Sequence, residues 1–451
     1  MQIATGEAAA PRTPAMLVKA ATALVRRGEA ARALPPLLSL PPETIRSAEV
    51  ALRAGGLCLW LHRLPEAAAF LRRAAVLAPA DPQVRAARAE CRALRMRPEI
   101  WRTAGDVLRA QLQRLAQPPR AATPPEHVHI VCKLDTLGGS ERRALNLYRS
   151  LRPHVPTTLW STLPASSAIA EPVRLITAGA VPQGGTLVMS GTYYRCGEWL
   201  RTARFERVVI CHNLSEQYAN LGYRLSRLEA NLSRPSVALT FPSRMFRDLT
   251  GLPGAVEYSP VDTSVFCPRV PRAPERKLLC IGRHGRAWSF KFHPNDPALF
   301  RALLARGHRI RILGGSAIAP AFVQDRGALP ELLEAGALDA ASFLDGLDVF
   351  LYRKHPQFVE TGGTVILEAM AMALPVVVFG EDCGHAELIE DGRNGFLVSS
   401  EAEACARIDA LHADPALRVR LGDAARATIL ELIHRQQREL LDFYLERRTA
   451  Q

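Results

Sequence analysis

The chain has no C-x-x-C pair, no D-x-D, and no apolar run near the roughly 18 residues of a membrane-spanning helix. Its nine cysteines, an odd number, are scattered, which argues against a zinc site or a disulfide framework and suits reduced thiols. Without D-x-D the obvious carboxylate pair for a divalent cation is missing, and no metal site is expected. The opening residues, M-Q-I-A-T-G-E-A-A-A-P-R, lack the apolar core of a signal peptide, so export is not expected. The expected location is the cytoplasm, with peripheral attachment at the inner membrane face as an additional reading. What is present is ordinary for a water-soluble protein: 48% hydrophobic and 22% charged residues in 451, enough for two or three domains.

The net charge of +13 is uneven. Residues 1–118 hold 18 Lys+Arg against 9 Asp+Glu, or +9, and the remainder holds 39 against 35, or +4. The plain reading is a solvated, Arg-rich and Lys-poor helical surface. A functional reading is attraction to an anionic membrane surface or a phosphate-bearing acceptor. Nucleic acid is not expected, because the segment has no basic–aromatic interleaving and no known reader motif.

Residues 1–13 are expected to be irregular. Over residues 14–116, Ala and Leu recur at helical spacing, broken at Pro35-Pro36, Pro41-Pro42, Pro79 and Pro82. Two stretches look alike, R-R-G-E-A-A-R-A-L from Arg26 and H-R-L-P-E-A-A-A-F-L from His62. Small residues at a helix crossing, then a Pro-terminated second helix, resemble tetratricopeptide repeats; a generic helical hairpin bundle is the alternative. Residues 117–126 are Pro-rich and read as a linker.

Beyond the linker, short apolar strands alternate with helices in two blocks. The first, 127–270, has strand candidates at 127–132, 186–190, 207–211 and 236–241. The second, 271–430, has them at 277–282, 309–313, 347–352, 375–379 and 395–398. A C-terminal helix is expected over 431–451. The fold class is therefore α/β, two facing Rossmann-like doubly wound domains preceded by an all-α helical-repeat domain. Ligands in such sheets sit beyond the carboxyl ends of the strands.

The candidate site residues fall at those ends. Gly138-Gly139-Ser140-Glu141 follows the first strand and opens a helix, where glycines admit a close ligand and a helix N-terminus favours an anion. A Gly-Gly turn with Ser140 as helix cap is its plain reading. I-G-R-H-G-R-A-W-S-F-K-F (281–292) puts Arg283, Arg286 and Lys291 on one loop, where they would stabilise a leaving pyrophosphate. E-T-G-G-T-V-I-L-E (360–368) brackets a Gly-Gly pair with two carboxylates. Glu360 is placed for sugar hydroxyls, Glu368 for ribose hydroxyls, and the N–H groups of Gly362, Gly363 and Thr364 for phosphate. His212 ends a strand and would touch donor or acceptor, or sit in the core. Asp348 reads as a structural hydrogen-bond acceptor. E-L-I-E-D-G-R-N-G-F-L-V (387–398) reads as a turn and a closing strand.

Together with V-D-T-S-V-F-C-P (261–268), these motifs make residues 127–430 similar to the family 4 glycosyltransferases of the two-Rossmann (GT-B) type. The resemblance implies a retaining transferase that takes a nucleotide-activated sugar and needs no metal for its chemistry. It implies Glu360 on the donor hexose, Glu368 on the ribose, Arg283 and Lys291 on the pyrophosphate, and Gly138-Gly139 in the loop that closes over it. Three departures stand out. The Arg-to-Lys spacing exceeds the family's, leaving Arg283 and Arg286 as alternatives for the pyrophosphate. Gly362 replaces an aromatic, loosening the sugar pocket. Ala373 replaces a glycine, with packing consequences only. Helical repeats joined to such a transferase also resemble the protein O-GlcNAc transferases, which lack the two-glutamate block.

The expected function is a hexosyltransferase acting from a UDP- or GDP-linked sugar, a substrate and not a cofactor. Its acceptor would be a glycan, lipid-linked or protein molecule. Residues 14–116 would engage a protein partner or an anionic membrane surface. Two other readings are a sugar-nucleotide epimerase or phosphorylase on the same fold, and a repeat-based adaptor with a vestigial cleft.

Overall fold

The computed structural model describes residues 13–26, 30–60, 63–95, 98–115, 125–136, 138–194, 196–214, 217–269, 278–287, 291–323, 325–356, 358–380 and 383–446. Residues 1–12 of the segment expected to be irregular, 117–124 of the expected linker and 447–451 lie outside the described residues, as do Arg27, Gly28, Glu29 and His62 of the two repeat-like stretches. The chain divides into two compact units: residues 1–96 with 287–289, and residues 97–286 with 290–451.

The smaller unit is helical, with α1 (Pro14–Arg26), α2 (Ala30–Leu38), α3 (Ala48–Trp60), α4 (Leu64–Leu77) and α5 (Pro82–Arg95). α1 packs on α2, and α3 on α4. Small side chains permit the approach. Ala51, Ala54, Ala67 and Ala74 are fully buried, and a Cβ built on Gly55 would stand 2.7 Å from Leu71. The sequence groups the next helix, α6 (Pro98–Leu115), with these, but it belongs to the larger unit. Leu108, Leu112 and Leu115 share one face of α6 and bury in the core of the first sheet described below. Arg109 donates to the Gly251 carbonyl at 3.0 and 2.6 Å, and Arg114 pairs with Glu229 at 2.7 Å.

The rest of the larger unit begins with β1 (Val128–Cys132), α7 (Gly139–Leu151), β2 (Thr157–Ser161), β3 (Val173–Leu175), β4 (Thr186–Ser190), α8 (Trp199–Thr202), β5 (Arg207–Cys211), α9 (Tyr218–Glu229), β6 (Ser236–Phe241), α10 (Arg244–Thr250) and β7 (Ala255–Val256). It continues with β8 (Cys280–His284), α11 (Asp296–Ala305), β9 (Arg309–Leu313), β10 (Glu331–Leu333), α12 (Ala340–Asp345), β11 (Val349–Tyr352), α13 (Thr364–Ala371), β12 (Val376–Phe379), β13 (Phe396–Val398), α14 (Glu401–Ala413) and α15 (Pro415–Tyr444).

Two sheets result, ordered β3-β2-β1-β4-β5-β6-β7 and β10-β9-β8-β11-β12-β13. Every pairing is parallel. Their central strands are buried throughout, as the continuous apolar runs require when helices cover both faces. Both are doubly wound Rossmann-like sheets. In each the winding reverses beside the first strand, between β1 and β4 and between β8 and β11, and ligand sites form at such reversals.

The expected boundary at 430–431 falls inside α15, which runs unbroken for 30 residues. Its early turns bury Leu421, Ala425 and Ile429 in the cores of the second sheet. Its end buries Tyr444, with Leu445, in the core of the first. There Arg143 and Glu257 form a buried ion pair at 2.7 Å, and the Tyr444 hydroxyl donates to Glu257 at 2.7 Å.

Candidate active site

The loops after β1, β8 and β11 carry the candidate residues, and contacts between the two halves of the larger unit bring them together. Glu360 lies on the loop after β11, nearly buried, and pairs as an isolated bridge with Cys383. The Lys291 ammonium and the Tyr352 hydroxyl both reach its Oε2, the latter at 2.6 Å. Burial alone would push the Glu360 carboxyl up. The Lys291 charge and the two hydrogen bonds outweigh burial and hold it below the ordinary carboxylate range. Glu360 is therefore an anion at neutral pH. Burial, with the neighbouring Glu360 charge, pushes the Tyr352 hydroxyl well above its usual range, so it remains a donor.

The expectation that Arg283 shares a loop with Arg286 and Lys291 is not met. Arg283 lies within β8, 3% exposed, because the strand extends to His284. Its guanidinium sits between the rings of Phe292 and Tyr352, 4.7 and 4.6 Å from their centroids. It donates to the Lys291 carbonyl at 2.7 Å and to the Arg353 carbonyl, with Asp296 3.8 Å away. Burial raises the Asp296 carboxyl to about 6. Arg283 thus braces the loop that carries Lys291. Arg286 is exposed and lies so close to Gly138 that any side chain there would collide with it.

Glu368, on α13, is 5% exposed. Its Oε2 lies 3.2 Å from His284 Nε2, and its Oε1 lies 3.4 Å from Arg142 Nη1 on α7. The glycines between the two glutamates have separate reasons. Gly363 caps α13 at φ +101°, a conformation that favours glycine. A Cβ on Gly362 would stand 3.3 Å from the buried His385 ring. The His385 N–H donates to the Gly362 carbonyl and the Gly384 N–H to the Glu360 carbonyl, both at 2.7 Å, so the segment after β12 fixes this loop. Thr364 begins α13.

Gly138, and not Ser140, caps α7. The Glu141 carboxylate accepts the Gly138 N–H at 2.8 Å and the Tyr193 hydroxyl, while Ser140 Oγ accepts from Asn213 at 2.5 Å. A Cβ on Gly139 would meet nothing within 4 Å. His212 is not presented to a ligand: it is fully buried between Phe241 and Phe246, 3.4 Å from the Thr192 hydroxyl. Burial lowers its pKa to about 3, so the ring is neutral. Asp348 accepts the Cys280 N–H at 2.7 Å, a structural role.

Across the halves, Ser243 donates to the Thr361 carbonyl at 2.6 Å, and Thr361 to the Asn213 carbonyl at 2.8 Å. Glu387 accepts the N–H groups of Arg244 and Met245, each at 2.8 Å, and the Tyr258 hydroxyl at 2.6 Å. Tyr352, Arg142, His284 and Glu387 escaped sequence reasoning. Arg142, His284 and Glu387 stood in or beside quoted motifs, but their partners lie far along the chain, and nothing local marked the Tyr352 hydroxyl. Among the described residues no three His, Cys, Asp or Glu side chains converge as a metal site, and no helix is long and apolar enough to cross a membrane.

Residues 335–428, which include both glutamates, match the family described as Glycosyl transferases group 1. Among solved structures, Anabaena Alr3699/HepE in complex with UDP and glucose is 15% identical with a TM-score of 0.52, over 70% of this chain and 99% of that one. A glycosyltransferase from Rickettsia africae is 13% identical with a TM-score of 0.52, over 71% of this chain and 98% of that one. A mutant of the Thermobaculum terrenum O-GlcNAc transferase is 17% identical with a TM-score of 0.48, over 97% of this chain and 98% of that one. No curated protein matches in sequence. At these identities the structures share a fold. The class is a two-sheet glycosyltransferase, and residues 335–428 form its glycosyl transferases group 1 domain.

Proposed function

We propose that this chain is a retaining transferase of the family 4 type. It moves a hexose from a nucleoside-diphosphate sugar to a glycan, lipid-linked or protein acceptor, without a metal in the chemistry. The observation that carries the reading is the placement of two buried carboxylates, Glu360 and Glu368, at the reversal of the second sheet, each beside a cation, with Arg142 of α7 reaching Glu368 from the first half. The solved complex of Alr3699/HepE with UDP and glucose supports a uridine donor.

In this reading Glu360, kept ionised by Lys291, accepts hydroxyls of the transferred hexose. Glu368 accepts the ribose hydroxyls. Lys291, braced by Arg283, and Arg286 face the diphosphate, and the N–H groups of Gly362, Gly363 and Thr364 face the same anion. The sugar C1–O bond breaks toward the diphosphate, whose growing charge these cations stabilise. The acceptor hydroxyl bonds to C1 on the same face and passes its proton to the leaving diphosphate oxygen. The open space at Gly139 is the approach to the donor from the first half. The basic helical segment 14–116, tetratricopeptide-like in this reading, holds an acceptor protein, a partner or an anionic membrane surface.

The test is calorimetric titration of nucleotide sugars without added metal, with Glu368→Ala as control, followed by determination of the product's anomeric configuration. Saturable binding of one donor, lost in the variant, and a retained anomer support the proposal. Equal binding by the variant, or an inverted product, counts against it.

A further inference from the structure

Glu368 has a basic neighbour from each half of the larger unit, and the two are not alike. His284 closes strand β8 and is buried, with Nε2 3.2 Å from Oε2. Arg142 stands in the first turn of α7 with its side chain 51% exposed, and its Nη1 is 3.4 Å from Oε1. Charge-assisted hydrogen bonds run at about 2.7–2.9 Å, so the Arg142 contact is a loose one. A ribose presents two adjacent hydroxyls, and a carboxylate that accepts both uses both oxygens. The oxygen facing Arg142 can then exchange that long contact for a shorter one from a ribose hydroxyl, and the exposed guanidinium gives way more easily than the buried ring.

A released Arg142 has a destination. It lies four residues beyond Gly138, the glycine against which the exposed Arg286 rests, at the N-terminal end of a helix of 13 residues. A donor that spans Glu368 with its ribose and Glu360 with its hexose must place its diphosphate between them. The positive helix end and two exposed guanidiniums, those of Arg142 and Arg286, then flank that anion. Leaving Arg142 on Glu368 would waste a cation on a carboxylate that ribose hydroxyls satisfy.

We propose that Arg142 is a donor-responsive residue. It neutralises Glu368 in the empty protein, yields to the ribose, and transfers its charge to the donor diphosphate. The proposal rests on the ribose role of Glu368 given above. Its consequence is that Arg142 opposes the nucleoside and favours the phosphates, two effects of opposite sign from one side chain.

The experiment is calorimetric titration of the full-length protein with UDP, GDP, uridine and guanosine. Wild type is compared with Arg142→Ala, Arg142→Lys and Glu368→Ala, with melting temperatures as a check on folding. Arg142→Ala is expected to weaken the bound diphosphate about tenfold, the scale of one lost charge-assisted contact, while the nucleoside binds as well or more tightly. Arg142→Lys should recover part of the diphosphate affinity. Equal weakening of nucleoside and diphosphate, or no change in either, overturns the proposal. If Glu368→Ala abolishes binding while Arg142→Ala is silent, the proposal alone fails. If Glu368→Ala binds as wild type, or if no ligand binds wild type, the underlying reading of the site fails with it.

Discussion

The Tyr352 hydroxyl donates to the Glu360 carboxylate at 2.6 Å, on the oxygen that also meets the Lys291 ammonium. The last residue of β11 thus orients the glutamate eight positions later in the chain. Phenylalanine fits the same buried space, so Tyr352→Phe should fold normally. A hydrogen bond to a charged group contributes about 1.5–3 kcal/mol. In the proposed transfer reaction, kcat/KM should fall at least about tenfold, read by steady-state kinetics with the donor found by titration.

Lys291 sets the charge of Glu360, and the sign of its removal follows. The folded pKa of Glu360 is depressed, so its contribution to stability is present above the unfolded value and is lost as pH falls through the folded one. In Lys291→Met the largest lowering influence on the carboxyl is gone, and burial pushes it up. The acid limb of the pH–rate profile should move toward neutrality. The acid-side loss of stability that the depressed pKa gives wild type should shrink in the variant, followed by denaturation at several pH values. A variant whose acid limb stays in place contradicts this assignment.

Ala373 holds φ +52° between α13 and β12. The sequence suggested that this alanine, in place of a glycine, would matter only for packing; the backbone adds strain. A left-handed alanine costs roughly 1–2 kcal/mol, and a glycine there loses somewhat more freedom on folding. Ala373→Gly should therefore stabilise the protein by about 0.5–1 kcal/mol, seen as a higher denaturant midpoint with no change in donor affinity.

Gly384 has no room for a side chain. A Cβ there would collide with the Thr361 carbonyl and Ser243 Oγ, one from each half, and a carbonyl in a fixed loop cannot step aside. Gly384→Ala should cost about 1–3 kcal/mol and displace the segment that holds Glu360. Donor affinity should fall even where the folded fraction is intact. Wild-type donor binding in a folded variant would refute the coupling.

Glu387 accepts two backbone N–H groups at the start of α10 and the Tyr258 hydroxyl, tying the second half of the larger unit to the first. The group is exposed, so its replacement should cost no more than about 1 kcal/mol of stability. Glu387→Ala should instead loosen the halves. The expected signature is faster hydrogen exchange at the amides of Arg244 and Met245, with a raised donor KM.

Local pattern carried the frame of both sheets. Strands 186–190 and 207–211 fall where the apolar runs put them, because a strand covered on both faces must be apolar along its length, and 236–241 and 309–313 also match though partly exposed. The missed strands β2, β3, β7 and β10 are short or partly exposed, and two residues of β7 carry no period. Helix α6 was assigned to the wrong neighbours because periodicity tells that Leu108 and Leu112 share a face but not what that face meets. The same limit holds in the site. The spacing around Gly-Gly placed Glu360 and Glu368 on the loop and helix after a buried strand, where the structure has them. The burial of His212, the bracing role of Arg283 and the reach of Arg142 to Glu368 depend on contacts between residues distant in sequence.

The crossing of α15 has a consequence for synthesis. The first sheet leaves the ribosome well before Tyr444 and Leu445, which close its core. Until they arrive, the Arg143–Glu257 pair lacks the hydroxyl that completes it. A nascent chain stopped before α15 would present an unfinished apolar face, the kind of surface that chaperones hold. Truncation before Tyr444 would thus be felt in the first sheet, all of whose strands are already made.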